Sequence, residues 1–406
     1  MTDQTRPPEP SSDAQPRAAS PIELSAHRVA ATPSAAPIAS PRPVPRTGAS
    51  VISVDAMGGD RGPGPVLAGM AISAKKNPDI RFIVHGDEEQ LHRMMRRRPA
   101  LAERTEVRHA PEVVAMADKP SKIMRRSRGT SMMSALQAVS GGEASVAVSC
   151  GNTGALMALA MLALRRAPGV DRPAIGVFWP SRGPAGHNIV LDVGADIRAE
   201  PKNLAQYAVM GAEYARLGLK IDRPRVGLLN VGSEESKGGE DLHAAAEMIS
   251  AAAIRPGAGF SYIGFVEGGD ILSDRVDVIV TDGFTGNIAL KTAEGTAKLI
   301  SDSLKEAFRH TWLSRLGALA AWTSLRRLSK RIDPRHVNGG VFLGLNGSVV
   351  KSHGSADATA VASAIKLAAT MGLSGFQGKV AEQVANAFPA RNTAGADSDR
   401  SGKTTG

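Results

Sequence analysis

Between residues 50 and 387 the chain alternates short, β-branched apolar runs with longer stretches whose apolar residues recur at helical spacing. The clearest strand patterns are Val51–Asp55, Ile80–His85, Val107–His109, Ser145–Ser149, Ala174–Phe178, Asn188–Leu191, Val226–Leu229, Tyr262–Phe265 and Val276–Val280. Helical spacing appears at Gly64–Lys76, Thr130–Ser140, Thr153–Arg165, Pro201–Leu217, Glu240–Ala253, Gly286–Glu306 and Ala358–Met371. Pro201 suits a first helical turn, where its missing N–H is not needed. Strands alternating with helices predict a mostly parallel sheet flanked by helices, an α/β fold. Residues 1–49, rich in Pro, Ala and Ser, read as a disordered leader, and 388–406 as a loose tail. One catalytic body over 50–387 is expected, with basic amphipathic helices protruding over 300–331.

Composition narrows the function. With 42% hydrophobic and 22% charged residues the chain can bury a large core. Aromatic residues make up only 4%, too few for stacking platforms on single-stranded nucleic acid. The lone cysteine, Cys150, excludes an internal disulfide framework and suits a reducing cytoplasm. No apolar run approaches the roughly 18 residues of a spanning helix, so a cytoplasmic, non-spanning protein is expected. A net charge of +10 asks for an acidic partner. The excess lies in His92–Arg98, Lys119–Arg128 and Leu304–Arg331, segments that would otherwise be solvated basic faces.

In open α/β sheets ligands gather beyond the carboxyl ends of strands, where helix N-termini present free N–H groups. Three segments have that form: Val146–Ser149 followed by Cys150-Gly151-Asn152-Thr153-Gly154, Val276–Val280 followed by Thr281-Asp282-Gly283-Phe284-Thr285-Gly286-Asn287, and Val226–Leu229 followed by Asn230-Val231-Gly232-Ser233. Any one alone reads as an ordinary structural turn; three together point to an uncharged anion cradle. A phosphate-binding P-loop motif, a dinucleotide loop of the right spacing, a zinc-spaced Cys/His set and a serine nucleophile elbow are all missing. Cys150 has no base near it in sequence and reads as packing rather than as an acyl carrier.

These segments, in order, resemble the bacterial phosphate acyltransferase family, the acyl-carrier-protein:phosphate acyltransferases of phospholipid synthesis. The likeness opens on Ser53-Val54-Asp55-Ala56-Met57-Gly58-Gly59-Asp60 and continues through Gly151–Met157, Asp171–Ala174, Leu191–Ala195 with Pro201-Lys202, and Val226–Gly232. It closes on Thr281–Asn287 and His353-Gly354-Ser355. Arg61-Gly62-Pro63 stands where the family often has His-Ala-Pro, and Asp196 where it usually has Asn. The resemblance implies a three-layer α/β/α sandwich like that of phosphate acetyltransferases and isocitrate-type dehydrogenases, and a homodimer. It also implies transfer of a long-chain acyl group from acyl carrier protein to inorganic phosphate, without metal or organic cofactor, and a product that feeds a membrane glycerol-3-phosphate acyltransferase.

Such a site must hold phosphate in line with a thioester carbonyl and stabilise the oxyanion and the departing thiolate. Under that reading Gly151, Asn152, Thr153, Gly154, Gly283, Thr285, Gly286 and Asn287 bind phosphate or substrate. Lys202 and Asn230 contact phosphate or the carbonyl oxygen, Asp282 takes a proton or caps the following helix, and His353 protonates the thiolate. Leu304–Arg331 carries seven Lys/Arg against one acid, Glu306, with apolar residues at helical spacing. Arg315, Arg326, Arg327, Lys330 and Arg331 are therefore candidates for docking the acidic carrier or the inner face of a membrane, against a dimer-interface alternative. Rival readings are a short-chain phosphate acetyl- or butyryltransferase using coenzyme A, a non-catalytic binding module, and a dehydrogenase of the related fold.

Overall fold

Strand β1 (Ser50–Asp55) is buried at every position except Val51, so both of its faces are covered. The computed structural model describes residues 50–118, 120–332 and 339–389, with the side chains at 120–122, 328–332 and 373 outside that description. The leader, and the tail beyond 389, lie outside it. The remaining strands are β2 (Ile80–Gly86), β3 (Thr105–His109), β4 (Val146–Ser149), β5 (Ala174–Pro180), β6 (His187–Leu191), β7 (Arg225–Leu229), β8 (Ser261–Val266), β9 (Val278–Val280), β10 (Gly340–Leu343) and β11 (Ser348–Lys351). The helices are α1 (Pro63–Lys76), α2 (Glu88–Met95), α3 (Pro99–Ala102), α4 (Pro120–Arg125), α5 (Ser131–Ser140), α6 (Thr153–Leu164), α7 (Pro201–Gly218), α8 (Glu240–Ala253), α9 (Gly283–Arg309), α10 (Trp312–Ala320), α11 (Trp322–Ile332), α12 (Ala358–Leu373) and α13 (Phe376–Ala387).

Among the described residues the strands form one sheet in the order β3-β2-β1-β4-β11-β10-β5-β6-β9-β7-β8. Helices cover both faces, giving the expected three-layer α/β sandwich. The period of two decides which layer each strand residue meets. Val146 and Val148 of β4, Ile189 and Leu191 of β6, and Val278 and Val280 of β9 join the core under α1, α7, α8, α12 and α13. Ala147, Val190 and Ile279, between them, join the core under α5 and α6. Helix α7 is the most enclosed: Asn203–Ala215 are all buried, with Tyr207 and Tyr214 among the largest fully buried side chains.

The pattern-based strands and helices are all present, with ends moved by a few residues. Strands β10 and β11 have no counterpart among them. Each is four residues long, like β4, but they lie among Gly339, Gly340, Gly344 and Gly347, a density of glycine that reads as turns. Their effect on the sheet is large. Strand β10 runs antiparallel to both β11 and β5, and β5 runs antiparallel to β6. The sheet therefore holds two parallel groups that point in opposite directions, β3-β2-β1-β4-β11 and β6-β9-β7-β8, with the antiparallel β10 and β5 between them.

Tyr214 packs between Phe178 and Phe376, with ring centroids 4.9 and 5.9 Å away, and its buried hydroxyl has no hydrogen-bond partner among the described residues. Removing that hydroxyl removes an unsatisfied polar group but keeps the ring. Tyr214→Phe is expected to leave the thermal unfolding temperature unchanged or raised, whereas Tyr214→Ala should cost about 3–5 kcal/mol. Denaturant unfolding of the two variants reads both.

Candidate active site

Because β1, β4 and β11 are parallel neighbours, Asp55, Ser149 and Lys351 all close on one edge of the sheet, the first edge. Strands β6, β9 and β7 run the other way and end on the second edge. The three glycine-rich strand ends are thus divided. Gly151–Gly154 and His353 lie on the first edge, and Asn230, Asp282–Asn287 and Lys202 on the second.

On the first edge a buried carboxylate knits the loops together. Asp55 Oδ1 accepts from the Met57 N–H at 3.1 Å and the Ser131 hydroxyl at 2.7 Å, and Oδ2 accepts from the Ser149 hydroxyl at 2.6 Å. The Ser149 oxygen in turn accepts from the Gly151 N–H at 3.0 Å. The glycines are steric requirements here: a Cβ on Gly58 would stand 2.5 Å from Asp55 Oδ2 and 2.9 Å from the Gly151 Cα. The Asp60 N–H donates to the Gly354 carbonyl at 2.9 Å, tying the loop after β1 to the loop after β11.

Asn152 caps α6, its Oδ1 accepting from the Ala155 N–H at 2.9 Å while its Nδ2 donates to the Met116 carbonyl at 2.6 Å. Its amide is thereby occupied within the chain. The exposed first turn of α6 presents the N–H groups of Thr153 and Gly154 at the positive end of a twelve-residue helix. Cys150 is buried, and burial pushes its thiol up to about 11, so it is protonated and unreactive at neutral pH.

His353 Nε2 lies 3.2 Å from Glu294 Oε1, and Glu294 Oε2 lies 2.8 Å from Lys291 Nζ. Both partners come from α9, which starts on the second edge and carries them back to the first. Burial lowers the His353 pKa, opposed by the Glu294 carboxylate and assisted by Lys291 and Lys351. Lys351 is pulled down to about 8, chiefly by burial.

The second edge is organised by another buried carboxylate, one that does not stand in any expected site. Asp192 accepts from the N–H groups of Ile175, Gly194, Ala195 and Asp196 at 2.6–3.2 Å, and burial pushes it up to about 6 against the pull of those donors. A Cβ on Gly283 would stand 2.5 Å from Asp192 Oδ2. Asp282 caps α9, its Oδ1 accepting from the Phe284 and Thr285 N–H groups at 2.9 Å and its Oδ2 from the Thr285 hydroxyl at 2.7 Å. Helix α9 begins at Gly283, three residues before the sequence pattern starts it. Gly286 is buried beneath the same turn, and the Asn287 amide lies over Gly194.

Asn230 donates to the Lys237 carbonyl at 3.0 Å and accepts from the Val231 N–H at 2.8 Å, closing its own loop. Lys202 pairs with Asp171 at 2.7 Å, both side chains about half exposed. Asp196, in the place of the family's Asn, accepts from Tyr207 at 2.8 Å and Asn203 at 3.1 Å. Arg315, Arg326 and Arg327 are exposed on α10 and α11, and the side chains of Lys330 and Arg331 lie outside the described residues. No group of His, Cys, Asp and Glu able to hold a metal ion occurs among the described residues.

Residues 50–379 match the family described as "Fatty acid synthesis protein". Over 340 residues the chain is 63% identical to the phosphate acyltransferase of Paracoccus denitrificans (strain Pd 1222), covering 84% of this chain and 91% of that protein. The chain belongs to the phosphate acyltransferase family. It is 60% identical over 347 residues to the phosphate acyltransferase of Jannaschia sp. (strain CCS1), covering 86% of this chain and 94% of that one. Among solved structures it resembles a phosphotransacetylase from Streptococcus pyogenes (TM-score 0.54, 17% identity, 80% of this chain and 95% of that one). The EutD phosphotransacetylase from Staphylococcus aureus gives a TM-score of 0.53 at 16% identity, with the same coverage. These two likenesses concern the fold.

As a phosphate acyltransferase the chain is an acyltransferase enzyme, with phosphate as a substrate. Sequence reasoning placed His353 in such a site but not Glu294, Lys291 or Lys351. Glu294 sits 59 positions before His353, inside a helix of mixed charge, and only the fold shows which carboxylate faces the imidazole. Asp192→Asn tests the second-edge anchor. Either orientation of the amide leaves two of the four N–H donors facing an NH2 group, so a loss of about 2–4 kcal/mol in denaturant unfolding is expected.

Proposed function

We propose that this phosphate acyltransferase moves a long-chain fatty acyl group reversibly from acyl carrier protein to inorganic phosphate at the first edge. The acyl phosphate then serves acylation of glycerol 3-phosphate in phospholipid synthesis. The observation that carries the siting is the His353–Glu294 pair, held beside the α6 N-terminus and the Gly58–Gly151 crossing. Phosphate dianion is already a nucleophile, so the site supplies alignment, anion stabilisation and one proton path rather than a covalent acyl-enzyme. The buried thiol of Cys150 suits that direct displacement.

In the proposed step a phosphate oxygen forms the new bond to the thioester carbonyl carbon, the C–S bond breaks, and thiolate leaves. Neutral His353 takes the phosphate proton and hands it to the thiolate, so HPO4²⁻ and thioester give acyl phosphate and free thiol in balance. With Nε2 held by Glu294, Nδ1 is the nitrogen left for this exchange. The N–H groups of Thr153 and Gly154 face the anion. The hydrogen bonds of Asn230 and Asp282 and the ion pair of Lys202 lead us to assign them to holding second-edge loops, with Thr285 bonded to Asp282 and Gly283, Gly286 and Asn287 set against the Asp192–Asp196 turn.

Helices α9 to α11 supply a docking face. Trp312, Leu313, Leu316, Leu319 and Trp322 are all more than half exposed, and α10 buries none of its residues. Beside them stand Arg315, Arg326 and Arg327, a combination suited to an acidic carrier. The same apolar surface suits a homodimer contact or a membrane face. Among the described residues no single helix is long and apolar enough to cross a membrane.

The direct assay is phosphate-dependent release of free thiol from palmitoyl carrier protein; activity confined to short acyl-coenzyme A would overturn the donor assignment. His353→Gln is expected to lower turnover about 100-fold or more. Because Glu294 raises the His353 pKa, Glu294→Gln should move the acid limb of the pH profile to lower pH, while phosphate's own ionisation stays common to both enzymes. Unchanged turnover in the first variant or an upward shift in the second would refute these roles.

Replacing Arg315, Arg326 and Arg327 together by Glu should raise the Michaelis constant for acyl carrier protein about tenfold, with turnover on a small acyl-coenzyme A unchanged. Loss of liposome pelleting at an unaltered carrier constant would favour the membrane instead.

A further inference from the structure

Lys351 closes β11 on the first edge, in register with Ser149 of β4 and Gly340 of β10, two residues before His353. Its charge is acted on by Cys150 from the loop after β4 and by Asp55 and Asp60 at the end of β1 and the loop after it, so its side chain lies where these loops meet. The ammonium donates to the Ser352 carbonyl, and no carboxylate of the described residues lies within ion-pair distance of it. Asp60 and Asp55 act on it only from farther away, and Asp55 already accepts three hydrogen bonds from uncharged donors. A second ammonium, Lys291, approaches from α9 and repels it. That cation is itself held by Glu294, whose other oxygen holds His353.

A largely buried ammonium without a carboxylate partner is costly, and a second cation beside it adds to the cost. An arrangement of this kind becomes favourable when an anion fills the space between the charges. The α6 N-terminus at Thr153–Gly154 contributes positive potential to the same edge, where the Gly58 and Gly151 backbones meet without side chains.

We infer that Lys351 is a catalytic residue that contacts the acceptor phosphate directly, holding the dianion between its ammonium and the first turn of α6, with Lys291 as the more distant counter-charge. This deepens the siting proposed above and rests on it. The bland alternative is that Lys351 merely offsets the charges of Asp55 and Asp60. The two differ in what phosphate does. A phosphate ligand needs the charged ammonium, and because Lys351 is pulled down to about 8, kcat/KM for phosphate should fall as pH rises through about 8. A purely structural lysine would not place that limb in the phosphate dependence.

The test varies inorganic phosphate at fixed palmitoyl carrier protein in wild type, Lys351→Met, Lys351→Arg and His353→Gln, and follows thermal unfolding of each with and without inorganic phosphate. Lys351→Met is expected to raise the KM for phosphate at least tenfold and to abolish the stabilisation by phosphate. Its unfolding temperature without phosphate should be equal to or above that of wild type, because a desolvated charge is gone. Lys351→Arg, charged at all working pH values, should bind phosphate and carry its alkaline limb above that of wild type. Should the methionine variant not fold, the arginine profile alone decides, since an unmoved limb sinks the proposal. A wild-type phosphate KM in Lys351→Met, with His353→Gln inactive, overturns the role of Lys351 but keeps the site. Full turnover in His353→Gln overturns the site itself.

Discussion

The reversal of strand direction at β10 and β5 is the constraint on which the rest of the arrangement depends. An all-parallel sheet would bring every glycine-rich strand end to one edge. Here the ends of β1, β4 and β11 face one way and those of β6, β9 and β7 the other. Only a long element can join the two edges, and α9 does so. From Gly283 to Glu294 the helix rises about 16 Å, roughly the length of a five-residue strand. That length places Glu294 against His353. A helix begun on one edge thus completes a side-chain pair on the other.

Each edge is built around a carboxylate removed from water, Asp55 on the first and Asp192 on the second. Neither is paired with a cation; both are satisfied by backbone N–H groups and, for Asp55, by serine hydroxyls. Hydrogen bonds of this kind offset the desolvation of the charge only when every donor is fixed in place, which makes the surrounding loops rigid. Gly58 and Gly283 are pressed against these carboxylates where a Cβ would not fit. Gly58 and Gly283, which mark two of the motifs in sequence, therefore serve the anchors.

That division explains how far the sequence could be read. The layering was legible because parallel strands buried on both faces carry unbroken apolar runs such as Val146–Val148 and Val278–Val280. Strands β10 and β11 are no shorter than β4, but they lie among Gly339, Gly340, Gly344 and Gly347, a density of glycine that reads as turns, and with them the reversal and the separation of the motifs stayed hidden. Asn152 and Asp282 share the chemistry of anion-site and helix-cap residues, and sequence does not distinguish a side chain facing outward from one turned back on its own helix. His353 was named because the family resemblance closes on His353-Gly354-Ser355. Its partner Glu294 was not, because pairing across 59 residues depends on the path of α9 alone.

Charge distribution gives the division its chemical sense. The second edge gathers Asp192, Asp196 and Asp282, so a phosphate dianion placed there would face carboxylates whose hydrogen-bonding capacity is already taken up within the chain. On the first edge Asp55 is satisfied by neutral donors, which leaves Lys351 without a carboxylate partner among the described residues, while Lys291 and His353 share Glu294. Using uncharged groups to stabilise the buried carboxylate keeps the cations available to a substrate. The transfer we propose needs little more than this: the nucleophile arrives charged, the proton it sheds is the one the thiolate requires, and burial lowers the His353 pKa, which favours the neutral imidazole that step calls for. The fold contributes a rigid set of amides and one imidazole held at a fixed angle by a helix that starts on the far edge.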